Sequence, residues 1–500
     1  MIVEAQMVKS PDTNSLPRSM YYLSGTEMWE RFSYYGIMSM LILYLTKGLG
    51  IPDERAGLIV GTYISFTWMS PVLGGWLADK FLGQVNAILI GGLGIFLGNL
   101  ILAINLGGLN GFFLGLSTII LGTGLLKSSI SVIIGELFTD GDPRIDRAYT
   151  VFYLFINIGS LLSASIAEIA QRSDNFGIGF AFATIGMLFG LLIFWRGMRT
   201  FKKIDRVNAK PALGGTSLGI SNKVWIGLLL VVSLPIVVFF FLFSEITNYF
   251  MLLSGVVVIA TIIGYWIKYK SRRDRLGIMA ILIYVVYQIG YFSLYQQVSD
   301  SIILFMDRVV DMQVFGISIS SGAASLLFNS GFILFLAPAL AWIYSLLGKI
   351  KKEPGTPVKF FIALLAMALS FLIFGLVARS SMGGAMASIW PVILGFFVFT
   401  ISDVLSGPIC LSLIVQLSPK QITGFMMGAM FFSMAAGGYV SGLLTAWSGM
   451  DANVTASVGL YAGKFAELFM YCAAAMLLIA ILYIFAIPFL KKAHQACADE

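Results

Sequence analysis

Glu27, Glu30 and Arg31 stand in an otherwise apolar stretch that runs from about Met20 to Leu45. The i, i+3, i+4 spacing puts two carboxylates and a guanidinium on one face of an α-helix, with Tyr34 and Tyr35 a turn further along. Carboxylates of this kind can take up and release a proton, and Arg31 can grip an anion in a bidentate fork. Each unpaired ionised group at a bilayer centre costs roughly 2.5 to 3.5 kcal/mol, so three in one span need partners or a water-filled cavity. Such a face points to a pathway through the membrane; the plainer alternative is an interhelical salt-bridge cluster that only fixes packing. Lys127, well inside the apolar run from Phe112 to Ile134, is a second intramembrane charge, a point charge rather than a fork, whose bland alternative is to snorkel to the interface.

The elements that must carry these groups follow from composition. Hydrophobic residues make up 58% of the 500 and charged residues only 11%, against about a quarter charged in soluble domains. This is the composition of an integral membrane protein, and its 53 glycines suit helices that approach closely in lipid. Cys410, Cys472 and Cys497 are scattered and suggest neither a disulfide framework nor a metal set. The single histidine, His494, lies in a polar tail and is expected to be solvated, which leaves no histidine base or metal ligand within the membrane. No nucleophile–base pair is legible either, so an enzyme is not expected, nor a metal or an organic cofactor. The first 19 residues are polar and lack the apolar core of a cleavable signal, which predicts a cytoplasmic N-terminus.

Apolar windows long enough to span lie near 20–45, 56–78, 84–106, 111–138, 149–171 and 176–198, then 224–243 and 248–267, then 277–298, 318–347, 357–378, 389–417, 423–447 and 464–489. All are far longer than the ten or so residues of a barrel strand. The pattern is fourteen helices in a six, two, six arrangement. It divides into a tail (1–19), a first bundle (20–198), basic linkers with two extra helices (199–275), a second bundle (276–490) and a tail (491–500). With both termini inside, the internal segments hold 24 of the 32 Lys and Arg residues, an asymmetry that an odd helix count would scramble. The net charge of +7 is thereby explained by topology and anionic lipid rather than by nucleic acid.

The segment Glu27-Met-Trp-Glu30-Arg31-Phe32-Ser33-Tyr34-Tyr35-Gly36 resembles the first-helix signature ExxERFxYYG of the proton-dependent oligopeptide transporter family, a branch of the major facilitator superfamily. Phe152 to Leu161 resembles the family's second signature, FYxxINxGSL, and Gly75 to Gly83 is similar to the superfamily's loop between helices two and three, which carries Asp79. The resemblance extends through Lys127, Asn329, Pro338 and Met427-Gly428, and the two extra helices match bacterial members. It implies two six-helix bundles around a central site that opens alternately to each side. It also implies a multi-pass protein of the inner membrane, acting as a monomer among lipids, with small peptides and protons as its partners.

A short peptide is a zwitterion, so its site needs a cationic end, an anionic end and an adaptable middle. The implied assignments are Arg31 and Lys127 for the carboxylate, Asp403 for the amine, at the position of a family glutamate, and Asn157, Gln296 and Asn329 for polar groups between. Tyr34, Tyr35, Tyr63 and Trp68 would line pockets. Glu27 and Glu30, with Arg31 and Lys127, would couple the proton: protonating an acid frees a cation for the substrate carboxylate, so proton and peptide are favoured together. Asp79 with Lys80 is expected at a cytoplasmic gate or a helix cap, and Glu136 and Glu168, near helix ends, are expected to be solvated.

The chain departs from the family pattern at several places. A second arginine seven residues after the first is replaced by Met38, the helix-four lysine is followed by Ser128-Ser129 rather than Pro-Asn, and a helix-seven glutamate has become Gln296. Asp403 reaches roughly 1.5 Å less far than glutamate, Gly407 stands where a serine precedes proline, and Met430 replaces a tryptophan. Losing a cation at Met38 and an anion at Gln296 together keeps the net charge. Three functions are therefore weighed: proton-coupled di- or tripeptide symport, transport of another small zwitterionic or anionic solute, and a non-transporting sensor or membrane enzyme.

Overall fold

A computed structural model describes residues 16–138, 142, 144–208, 216–217, 220–350, 352–407, 409–449 and 457–498. These form α1 (Arg18–Leu43), α2 (Asp53–Leu77), α3 (Gln84–Ala103), α4 (Gly108–Glu136), α5 (Ile145–Arg172), α6 (Phe176–Asn208), α7 (Asn222–Leu242) and α8 (Ser244–Lys268). The second half forms α9 (Arg272–Tyr295), α10 (Ser301–Val309), α11 (Ser321–Lys349), α12 (Thr356–Ser380), α13 (Ile389–Ser406), α14 (Ile409–Leu417), α15 (Thr423–Ser448) and α16 (Val458–Ala498). A short 3-10 turn, Gln296–Ser299, joins α9 to α10 into one span, and α13 continues into α14 past Gly407. The fold is all-α, with three two-residue strand ladders among the described residues, confined to loops.

Among the described residues thirteen helices are long and apolar enough to cross a membrane. The fourteenth is α1, set apart because Glu27, Glu30 and Arg31 lower its apolarity. All fourteen expected windows are thus helical, and the differences lie at their ends. The ninth span, expected at 277–298, runs on to Val309 because Ile302 to Met306 are buried against the rest of the second bundle. The stretch from 491, expected as a polar tail, is helical through Ala498. His494 is accordingly not a free solvated group: its Nε2 lies 3.2 Å from the hydroxyl of Tyr284. Cys472 is buried and, like Cys497, forms no disulfide among the described residues, while the side chain of Cys410 lies outside them.

The first six helices pack on one another, with α1 against α5 and α6 and α3 against α4 and α6. The second bundle is built in the same way, with α12 against α13 and α16 and α9 against α15 and α16. Outside both, α7 leans on α4 and α8 on α9 and α15, and both keep wide apolar faces exposed, as lipid-facing helices do. The bundles meet where α2 lies on α15 and α5 on α11. The first of these seams needs glycine: a Cβ on Gly61 of α2 would stand 2.8 Å from the Cα of Gly442 on α15.

The near face of the molecule carries the start of α1 and the end of α16, and the far face is its opposite. At the far face the bundles are tied together by charge as well as by close packing. Arg308 on α10 donates to both carboxylate oxygens of Asp53 on α2, at 2.7 Å from Nη2, and Lys47 lies 2.7 Å from Asp307. Glu168 on α5 accepts from the backbone N–H of Ser320 at 2.8 Å and pairs with Arg172, which donates to the carbonyl of Ser318. Glu168 is therefore a cross-bundle tie and not a solvated end group, while Glu136 is half-buried.

Candidate functional site

A cavity of about 520 Å³ lies between the bundles, within the range that holds a small ligand. Two broken spans frame it, because Gln296 to Ser299 and Gly407 interrupt their helices where they meet it. Unwound backbone at membrane depth is tolerated where it lines a cavity, and such breaks are where transporters place their ligands. On the near-face side, Ser131 and Gly407 are solvent-exposed, whereas Tyr34, deeper along α1, is buried. The cavity thus opens toward the near face, and the charge ties described above close it from the far face.

The first bundle supplies the cations. Arg31 lies 3.1 Å from Glu27 and in direct ion-pair contact with Glu30, and all three are at least 95% buried. These contacts hold the charge without consuming the whole fork: Nη2 of Arg31 has no hydrogen-bond partner among the described residues. The guanidinium also lies 5.1 Å from the ring centre of Tyr34. Lys127 stands apart from the acids, with Nζ over the indole of Trp68 at 3.7 Å from the ring centre and no carboxylate within 4.0 Å among the described residues. A fork with an open edge and an ammonium on an aromatic face present two cations to one wall of the cavity.

The helices that hold this wall are fixed by small residues. Gly159, inside the second signature, lets α5 close on α1: a Cβ there would lie 2.2 Å from the carbonyl oxygen of Met28. One turn of α1 therefore faces α5 with no room for a side chain, which positions Glu27 and Arg31. Two hydroxyl or amide bonds between helices add register: Asn99 donates to Ser33 at 2.8 Å, and Ser160 meets Ser330 of the second bundle at 2.7 Å.

The second bundle supplies the acid. Asp403 lines the cavity from α13, with Asn329 at 3.5 Å from its Oδ2 and the phenol of Tyr295 beside it. Tyr291 accepts hydrogen bonds from Ser402 and Ser406, and Tyr295 stacks on Phe399, so the aromatic face beside Asp403 is held from behind. Met427, Phe431 and Met434 of α15 complete the apolar part of the wall.

Of the residues expected to meet a substrate, Arg31, Tyr34, Tyr35, Lys127, Gln296, Asn329 and Asp403 line the cavity, and so do Trp68 and Met38. Two do not. Tyr63 is fully buried behind Tyr34, near Glu30 and Arg31, because α2 turns that face into the first bundle. The amide of Asn157 turns back on its own helix. Glu27 and Glu30 sit behind Arg31 rather than on the cavity wall. Asp79 lies on the near face, where Gln84 donates to it at 2.6 Å across the start of α3, a local cap. Tyr291, Tyr295 and Ser160 are lining residues that sequence reasoning passed over; the signal for Ser160 was its place inside the Phe152 to Leu161 signature, and for the two tyrosines their place five and one residues before Gln296 on the same span.

A sequence profile described as the POT family matches residues 85–458. The chain is 32% identical over 448 residues to the peptide transporter YePEPT of Yersinia enterocolitica, covering 85% of this chain and 87% of the relative. It is also 32% identical over 440 residues to the di-/tripeptide transporter of Lactococcus lactis, with 83% and 86% covered. A solved POT family transporter in complex with 5-aminolevulinic acid superposes with a TM-score of 0.81 at 27% identity, covering 95% of this chain and 97% of that one. A profile spanning most of the chain, a shared fold over nearly all of it and a charged cavity between two helical bundles agree: the chain belongs to the POT family of transporters and is not an enzyme.

Proposed function

We propose that the protein imports di- and tripeptides together with protons by alternating access. The observation that carries this reading is the placement of charge: Arg31 and Lys127 on the first bundle and Asp403 on the second face one cavity. A zwitterion bridging them would hold the two bundles together, its carboxylate on the cations and its amine on Asp403. The peptide bond would meet Asn329 and Gln296, and side chains the apolar wall from Trp68 to Met434.

Charge balance supplies the coupling. Glu27 and Glu30 balance Arg31 and Lys127 when all are ionised, so a substrate carboxylate entering this set leaves one negative charge in excess. Protonating Glu27 or Glu30 restores neutrality and loosens Arg31 from that acid. Proton and carboxylate therefore bind with positive coupling. The proton is the only coupling ion in this scheme, and no other cofactor takes part. The protein acts as a monomer in the inner membrane, with the near face and both chain ends cytoplasmic. In the proposed division, 20–198 and 276–490 rock about the cavity and 199–275 contributes linkers and two peripheral helices.

A second reading has a specific support. The 5-aminolevulinic acid held by a similar transporter is itself a small zwitterion, and Met38 and Gln296 leave this cavity with fewer charges than the family pattern. Transport of such a peptide-like solute uses the same charged ends. Uptake of labelled dialanine into proteoliposomes under an imposed inward pH gradient separates the two. Accumulation above the external level supports peptide symport; gradient-driven movement of 5-aminolevulinic acid with none of dialanine assigns the second reading, and movement of neither rejects both.

A further inference from the structure

Asp300 is a buried acid that the coupling scheme leaves unused. It lies between the 3-10 turn and α10, one residue beyond Ser299, a lining residue of the cavity, on the far-face side. The residue is fully buried. Its Oδ2 accepts from the hydroxyl of Ser441 on α15 at 2.7 Å, and its Oδ1 has no hydrogen-bond partner among the described residues. No lysine or arginine lies within 4.0 Å among the described residues.

The surroundings are polar and neutral. Gln297 donates from Nε2 to the carbonyl and the hydroxyl of Ser441, both at 2.9 Å, and its Oε1 accepts from Ser301 and from Thr445. Ser325 on α11 is committed to the carbonyl of Val298. From α1 the titratable group close enough to interact with Asp300 is Tyr34. The contrast with Glu27 and Glu30 is direct, since those acids share Arg31 and Asp300 has no counter-ion among the described residues. A lone carboxylate sealed away from water is strongly disfavoured, whereas a carboxylic acid needs only hydrogen bonds, and its O–H would sit on the oxygen left open.

Asp300 is sealed by the contacts that close the far face. Asp307 and Arg308, about two turns further along the same span, tie it to Lys47 and Asp53, and α15 presses on α2 beside it. Separating the bundles at this face would bring water to the carboxyl and let it ionise. We propose that Asp300 is a second proton-binding site, neutral while the far face is closed and charged when it opens, so that closing this face takes up a proton. The inference rests on the alternating-access reading above but not on the identity of the substrate. The linkage runs one way: a group that holds its proton more tightly in the closed state makes closure easier at low pH and opening easier at high pH.

The test uses the full chain in lipid nanodiscs, carrying Cys410→Ser, Cys472→Ser and Cys497→Ser, with spin labels on Leu106→Cys and Met382→Cys at the far face of the two bundles. Between pH 5 and pH 8 the parent is expected to shift from a short to a longer label-to-label distance, and Asp300→Asn to lose at least half of that shift by staying short. A parent indifferent to pH, or an Asp300→Asn protein with the full response, overturns the proposal. Should Asp300→Asn fail to fold, Ser441→Ala keeps the acid but removes the donor that favours its charged form; the transition then moves to higher pH, and an unmoved transition overturns the proposal. A parent that responds to sodium at fixed pH only while Asp300 is present would make this a metal-cation site and overturn the proton assignment. If the distances behave as expected while dialanine is not transported, the substrate reading falls and Asp300 stands.

Discussion

Lys127 rests its ammonium on the indole of Trp68, 3.7 Å from the ring centre, while both neighbouring acids, Glu27 and Glu30, turn to Arg31. Two cations of one wall are thus held in different ways. Arg31 is neutralised by carboxylates, whereas Lys127 is stabilised by a ring quadrupole that a substrate carboxylate can join without displacing it.

Trp68 is therefore expected to matter for affinity more than its apolar surface implies. A partly desolvated cation–π contact is worth about 1 to 2 kcal/mol, so Trp68→Leu should raise the half-saturating dialanine concentration about five- to thirtyfold. Trp68→Tyr should recover part of this. Equal binding by Trp68→Leu and the parent, measured by calorimetry in detergent, would remove the ring from the account.

Glu30→Gln keeps the shape of the α1 cluster and deletes one titration. Exchange of labelled for unlabelled dialanine across a proteoliposome needs no net proton movement and should persist. Accumulation against a gradient should fall at least tenfold. A Glu30→Gln protein that still concentrates dialanine would show that the coupling proton binds elsewhere.

Asp403 is assigned to the amine of the substrate, which makes a prediction about ligands as well as residues. Asp403→Asn should weaken binding of dialanine at least tenfold, since a charge-assisted hydrogen bond contributes about 1.5 to 3 kcal/mol. The same substitution should barely alter binding of N-acetyl-dialanine, which has no ammonium group. Equal losses for both ligands, in a thermal-shift titration, would mean that Asp403 acts through the structure of α13 and not through the amine.

The far-face tie between Arg308 and Asp53 spans the two bundles. Asp53→Ala leaves Arg308 without its carboxylate in a mostly buried place, and breaking one side of such a pair costs about 3 to 5 kcal/mol when burial is complete. The closed far face should lose population, visible as a longer distance between spin labels on Leu106→Cys and Met382→Cys. An unchanged distance would place the seal in the glycine seam of α2 and α15 alone.

Gly159→Ala tests the packing that aims the cluster. The added Cβ meets backbone rather than a flexible side chain, 2.2 Å from the oxygen of Met28, so α1 and α5 must separate. Overpacking of this kind costs about 1 to 3 kcal/mol. The melting temperature in detergent should drop by several degrees, with transport reduced more than expression. A variant with parental melting and uptake would show that the seam has slack.

Much of the architecture was legible in one dimension because a bilayer imposes one-dimensional rules. Apolar runs of about twenty residues, and lysines and arginines gathered on alternate loops, depend only on lipid thickness and on which side a charge is retained. Charged residues inside such runs, Glu27, Glu30, Arg31, Lys127 and Asp403, announced themselves because lipid makes them costly. What faces what was decided only by packing. Tyr63 and Asn157 have the right chemistry and lie on the right helices, yet they turn away from the cavity, while Tyr291 and Tyr295 turn into it. The partner of Lys127 is an aromatic ring on another helix, and the acid at Asp300 has no cation beside it among the described residues. Both facts arise from how close helices distant in the chain approach one another. Sequence determines that these charges must be sheltered; the tertiary structure alone decides by what.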